Sequence, residues 1–170
     1  IVAPSANMSG KLSTTRFEDV LNCMSGKIDA IVNGGPCPIG LESTIVKIKN
    51  GNLSVLRPGR ITEEEIESKI GNLTNRNDIV KEKVIAPGQF KSHYCPKTPI
   101  RINIKNPRKN ELLLAFGPLP EDVKGISLTE ILDLDEAAMN LYSALADLDN
   151  LAKITRSTSI AINPIPNNGV

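Results

Sequence analysis

Residues 43–57 read STIVKIKNGNLSVLR, and the fold turns on this stretch. β-Branched and apolar residues flank Asn50-Gly51, a dipeptide that supplies the positive φ angles of a tight two-residue turn, so the stretch predicts an antiparallel hairpin. Immediately upstream, GGPCPIGLEST (34–44) fixes an unusual backbone path with glycines and prolines, delivering Ser43 and Thr44 to the head of the first strand. Such rigidity suits either a ligand site or a purely structural turn. Downstream, LRPG (56–59) places Arg57 before a Pro-Gly turn, where its guanidinium can fork onto phosphate or carboxylate oxygens or form a surface salt bridge.

Further outward, residues 1–4 read as the end of a strand entering the polar loop PSANMSG (4–10). That loop either binds an anion through exposed amides or uses its serines to cap the next helix. Thr15-x-x-Glu18 predicts a capping box for a helix running to about Met24, with Gly26 ending it. DAIVNGG (29–35) reads as a short strand. ITEEEIESKIG (61–71) predicts a helix capped by Thr62 and Glu65 and stopped by Gly71.

From Asn72 to Pro99 the periodicity fades among prolines and polar residues. A connection longer than roughly 12–15 residues is usually functional or interdomain, although a solvated linker also fits GQFKSHYCPK (88–97). Beyond it, IRINI (100–104), ELLLAF (111–116) and SIAIN (159–163) read as strands, and DLDEAAMNLYSALADLD (133–149) as an amphipathic helix. This is a second α/β unit.

Composition narrows the classes. The chain has 170 residues, 40% hydrophobic and 23% charged, with formal net charge +1, so a broad electrostatic grip on nucleic acid or anionic membrane is not predicted. No apolar run approaches the roughly 20 residues of a membrane helix, and no secretory leader pattern opens the chain. Cys23, Cys37 and Cys95 are odd in number and form no C-x-x-C pair, which argues against a disulfide framework or thiolate zinc site and for a soluble protein of a reducing cytoplasm. Cys37 is expected to be packed rather than nucleophilic. His93 is the single histidine, so no histidine metal cluster can form.

Taken together and in order, APSANMSG (3–10), NGGPCPIGLESTIV (33–46), VLRPGRIT (55–62) and APGQFKSHYCPK (86–97) closely resemble the threonylcarbamoyl-AMP synthase family with its YrdC-like domain. LDLDEAAMNLYSALADLD (132–149) and PIPNNG (164–169) extend the resemblance to the two-domain branch. The implied fold is α/β: a partial YrdC-like twisted mixed sheet with helices, joined by a long linker to a Rossmann-like accessory domain. The corresponding boundaries are 1–71 for the carboxy-terminal half of the catalytic domain, 72–99 for the linker or lid, and 100–170 for an incomplete accessory domain.

The resemblance further implies an enzyme that joins L-threonine, bicarbonate and ATP, accompanied by Mg²⁺, into threonylcarbamoyl-adenylate and pyrophosphate. The product would serve downstream tRNA threonylcarbamoyl-transfer machinery. Matched to the family's motifs, Ser5, Ser13 and Arg57 fall to ATP with Asn7 as a neighbour, Ala3 and Ser43 to threonine, and Tyr94 of the linker to a contact back to the nucleotide. His93 and Lys97 stand beside it without assigned roles. No catalytic residue and no protein-held metal is assigned.

Lys47 replaces a commonly acidic residue and Ser92 a commonly basic one. The family's Lys-x-Arg pair has no counterpart in the chain, which reads as a piece cut from a longer enzyme, short at both ends, inactive alone and prone to association through uncovered apolar surface. Two other readings are a non-catalytic module making weak contact with tRNA or double-stranded RNA, and the YrdC-like part of a hydrogenase-maturation carbamoyltransferase. The latter family carries zinc-finger cysteine pairs that this chain lacks.

Overall fold

A computed structural model of the chain describes residues 5–71 and 95–166. Ala3, Tyr94, His93 and nearly all of the long connection lie outside the described residues.

The first segment holds α1 (Phe17–Met24), β1 (Ile45–Lys49), β2 (Asn52–Arg57) and α2 (Glu63–Ile70). The hairpin forms as its sequence predicts: β1 and β2 pair antiparallel, and Asn50 and Gly51 adopt φ of 53° and 78°. A β-bulge between Ile45 and Val46 brings Arg57 opposite Ile45, beside the loop that precedes β1. Helix α2 carries the expected reciprocal capping box between Thr62 and Glu65.

The second segment holds β3 (Ile100–Arg101), β4 (Glu111–Ala115), β5 (Gly125–Ser127), α3 (Leu134–Thr155) and β6 (Ser159–Ile162). Its four strands form a parallel sheet ordered β3-β6-β4-β5. Strand β4 is buried along its whole length, which explains its near-continuous apolar run. Leu112 and Leu114 face a core shared with Ala144, Leu145 and Leu148 of α3, whereas Leu113 and Ala115 pack with Ala161 on the other side. Each fully buried leucine contributes about 1.5–3 kcal/mol over exposure.

One buried carboxylate ties three of these strands. Glu111, at the start of β4, accepts from Arg101 of β3 (2.7 and 2.8 Å), Ser159 of β6 (2.7 Å) and the Arg108 N–H (2.8 Å). The Arg108 N–H foremost, and then Arg101, lower its pKa to about 2 against the opposing effect of burial.

Helix α3 also touches the first segment. Arg16 forks onto Asp147 (2.8 and 2.9 Å) while also binding Asp19, and Arg60 pairs with Asp135 at 3.4 Å. The Asp147 and Asp19 contacts raise the already high pKa of the Arg16 guanidinium. Leu12 reaches the edge of the α3 core. Asp149 receives the Thr98 N–H (2.8 Å) and hydroxyl (2.6 Å), pinning the end of the long connection. Burial pushes its pKa up, but these bonds outweigh burial and leave it below the usual carboxylate value.

Several expectations are corrected. Residues 29–35 form no strand, and Val32 is 92% exposed, because among the described residues no strand pairs with them. The box predicted at Thr15 and Glu18 is absent: Arg16 takes the N-cap position without a side-chain bond, while the Thr15 hydroxyl is buried without a partner among the described residues. Cys37 is exposed rather than packed, since its loop is tied by the backbone, the Cys37 N–H donating to Thr15 O at 2.8 Å. The α/β class itself holds, with an antiparallel hairpin in the first segment and a parallel sheet in the second, but β5 is an element the sequence did not announce. No helix among the described residues is long and apolar enough to cross a membrane.

Candidate functional site

The site grows from the two ends of the hairpin. Leaving β2, the chain turns at Pro58-Gly59, and Gly59 lies so close to the segment entering β1 that a Cβ there would fall 2.3 Å from Glu42 O and 2.5 Å from Thr44 N. Only a residue without a side chain permits this approach. The two segments are then stitched together: Arg60 N–H donates to Glu42 O (3.3 Å), and the Thr44 hydroxyl donates to Ile61 O (2.6 Å) while accepting from Ile61 N–H (3.1 Å).

This stitching folds Arg57 back onto Ser43. Its Nε (3.0 Å) and Nη2 (2.7 Å) donate to Ser43 O, and Nη2 also reaches Ser43 Oγ at 3.0 Å. Across the guanidinium stands Glu42, with Oε2 3.7 Å from Nη2, and the buried Ser13 hydroxyl donates to Glu42 Oε1. Arg57, Ser43 and Ser13 therefore share one polar cluster, joined through the Arg57–Glu42 ion pair by Glu42, a residue the sequence reading passed over. The side chain of Arg57 is 12% exposed, far from the freely projecting guanidinium expected at a strand end.

Ser5 and Ser13 line a cavity of about 330 Å³ that also includes Cys37 to Glu42 of the glycine-proline loop and Tyr142 of α3. Asn7 lies apart from the cluster: its amide donates to Met8 O (3.3 Å) and Lys11 O (3.1 Å), fastening its own loop, and it lines a second cavity of about 170 Å³. Thr14 supports the same loop from its other end through a bond to Ala6 O at 3.2 Å. Ala3 and Tyr94 fall outside the described residues. Among the described residues no group of three or more His, Cys, Asp or Glu side chains is placed to hold a metal ion.

Two residues of the candidate site were not singled out by the sequence. Glu42, inside GLEST, looked like an ordinary loop carboxylate, and no local spacing linked it to Ser13 twenty-nine residues earlier. Tyr142 lies within the amphipathic helix pattern and no motif singled it out. Its signal was the register Asp135, Met139, Tyr142, Ala146, which marks a second helix face beside the core stripe.

The fold and site define an α/β protein in which loops framing a β-hairpin build a polar cavity against the helix of a parallel-sheet unit. Residues 1–59 match the Sua5/YciO/YrdC family model, described as "Telomere recombination", and residues 61–170 match "Threonylcarbamoyl-AMP synthase, C-terminal domain". The chain belongs to the threonylcarbamoyl-AMP synthase family.

It is 42% identical over 171 residues to the threonylcarbamoyl-AMP synthase of Bacillus subtilis (strain 168), covering 88% of this chain and 48% of that protein. Against the Pyrococcus abyssi (strain GE5 / Orsay) threonylcarbamoyl-AMP synthase it is 34% identical over 168 residues, covering 88% and 49% respectively. The crystal structure of P. abyssi Sua5 complexed with L-threonine superposes with a TM-score of 0.80 at 30% identity, covering 98% of this chain and 53% of that one. The chain thus spans about half the length of the curated relatives it matches.

Proposed function

We infer that this chain forms part of an L-threonylcarbamoyladenylate synthase, a nucleotidyltransferase working in the cytoplasm. In the proposed reaction L-threonine condenses with bicarbonate to a carbamate, with loss of water. A carbamate oxygen then attacks the α-phosphorus of ATP, forming threonylcarbamoyl-AMP as pyrophosphate leaves. The product would pass to tRNA threonylcarbamoyl-transfer machinery.

The observation that carries this reading is the cluster in which Arg57 and Ser13, assigned to the nucleotide, both meet Glu42 while Arg57 also bonds Ser43, assigned to threonine. A transferase needs its two substrates held side by side, because fixed orientation removes much of the entropic barrier to attack. Ser5, on the same cavity as Ser13, would complete the nucleotide contacts, with Asn7 shaping the loop. Ala3 would add to the threonine side and Tyr94 would reach back to the nucleotide from a lid. In this reading residues 1–71 form the carboxy-terminal half of the catalytic domain, 72–99 the linker or lid, and 100–170 the accessory domain.

The described residues offer no multi-carboxylate seat for a resident cation. Mg²⁺ would enter with ATP, ligated chiefly by phosphate oxygens and water.

The reading is tested in the full-length protein by threonine- and bicarbonate-dependent pyrophosphate release. Arg57→Ala should weaken ATP binding by about 1.5–3 kcal/mol, roughly ten- to hundredfold, as expected for a lost charge-assisted contact. Pyrophosphate release that ignores threonine would overturn the reaction, and unchanged ATP affinity would remove Arg57 from the nucleotide site.

A further inference from the structure

The cavity shared by Ser5 and Ser13 has one wall that comes from the second segment: Tyr142 of α3. The placement of this wall is tightly determined. Gly40 sits against the helix so closely that a Cβ there would lie 2.3 Å from Met139 O, and Tyr142 follows Met139 by three residues, on the same helix face. Asp135, one turn earlier, pairs with Arg60 of the segment after β2 at 3.4 Å, a second contact between α3 and the first segment.

The chemistry of the cavity selects its occupant. Tyr142, Pro38, Ile39 and Leu41 supply an aromatic ring and aliphatic surface, while Ser5 and Ser13 supply hydroxyls. Among the described lining residues Glu42 alone is charged, and its carboxylate is engaged by Ser13 and Arg57. Among the described lining residues neither a triphosphate nor the carboxylate of an amino acid would find a cation. A flat, uncharged heteroaromatic ring with a polar edge fits. The volume of about 330 Å³ falls at the lower end of the small-molecule range of roughly 300–1,000 Å³.

We propose that the second α/β unit contributes directly to the nucleotide site, with Tyr142 of α3 as the residue that packs on the base of ATP. This rests on the proposed use of ATP and names which part of the nucleotide lies against α3.

The test uses the full-length protein, with ATP and base-free inorganic tripolyphosphate as probes in titration calorimetry. Tyr142→Leu, which keeps apolar bulk on the helix, should weaken ATP binding roughly tenfold, the size of one lost base–aromatic contact, and leave tripolyphosphate affinity unchanged. Tyr142→Phe should bind ATP like the wild type. An unchanged ATP affinity in Tyr142→Leu, or equal losses for both probes, would overturn the proposal, the second result marking a scaffold role alone. Photolabelling of the unsubstituted protein with 8-azido-ATP keeps the test independent of variant folding: label on the peptide containing Tyr142 supports the contact, and label confined to other peptides overturns it. Because these readouts are binding rather than turnover, loss of threonine dependence would refute the reaction without touching this contact.

Discussion

Gly40→Ala is the sharpest probe of how the site is held. Gly40 has φ of +76°, a conformation that costs an L-residue about 1–2 kcal/mol. Its added Cβ would also lie 2.3 Å from Met139 O, 2.4 Å from Met139 Cα and 2.6 Å from Met139 C. These are backbone atoms, so no rotamer change relieves the overlap. Overpacking of this kind adds about 1–3 kcal/mol, for a predicted total of about 2–5 kcal/mol. Helix α3 cannot retreat freely, since Leu145 and Leu148 anchor its other side on the sheet. The loop should therefore yield, moving Glu42 and Ser43 and loosening the Arg57 cluster.

Two further glycines separate the contributions. Gly35 has φ of +84° with nothing within 4 Å of a Cβ, so Gly35→Ala measures the backbone cost alone. Gly34 has neither constraint, and Gly34→Ala should change stability by less than about 0.5 kcal/mol. Urea unfolding of the full-length variants, followed by circular dichroism, supplies the comparison. A Gly40→Ala loss no larger than that of Gly35→Ala would refute the close approach to α3.

Glu111→Gln should cost about 3–5 kcal/mol, because it leaves the Arg101 guanidinium without its carboxylate. The wild-type carboxylate has its pKa lowered from 4.5 to about 2, so its contribution of about 3 kcal/mol is complete above pH 4.5 and lost as pH falls toward 2. Acid titration of stability should therefore be flatter in the glutamine variant, and parallel curves would refute the assignment. Thr15→Val removes a buried hydroxyl without a partner among the described residues and should leave thermal stability equal or raise it by about 1 kcal/mol. A clear loss would show that this hydroxyl is satisfied.

What could be read in advance was what is encoded locally. Asn50-Gly51 dictates the hairpin turn, Thr62 and Glu65 cap α2 between themselves, and the apolar run of β4 announces a strand buried on both faces. Where the outcome depended on distant partners, local pattern misled. DAIV has strand composition but no pairing strand among the described residues, and Thr15 has the spacing of a cap yet is drawn into the interior one residue before the actual N-cap. The site divides the same way. Ser13, Ser43 and Arg57, which their motifs single out as candidates, are brought near one another by the fold. Glu42, which joins Ser13 to Arg57, became visible only when segments far apart in the chain were brought together.

The same distinction applies to α3, whose amphipathic pattern announces the helix but not what its second face meets. Its core side is Ala137, Ala144, Leu145, Leu148 and Ala152, small and aliphatic residues that let it lie close on the parallel sheet. The register through Asp135, Met139 and Tyr142, with Asp147 off to one side of it, has a different composition because it meets loops rather than a sheet: carboxylates for Arg60 and Arg16, a backbone surface for Gly40 and a ring for the cavity. A helix that served only its own unit would gain nothing from carboxylates aligned with arginines of the other segment. Core packing of Leu145 and Leu148 sets the rotation of α3, the partly exposed ion pairs add to it, and that rotation sets where Tyr142 lies. Substitutions along this face should therefore alter ligand binding through the position of α3 even where they touch no ligand themselves.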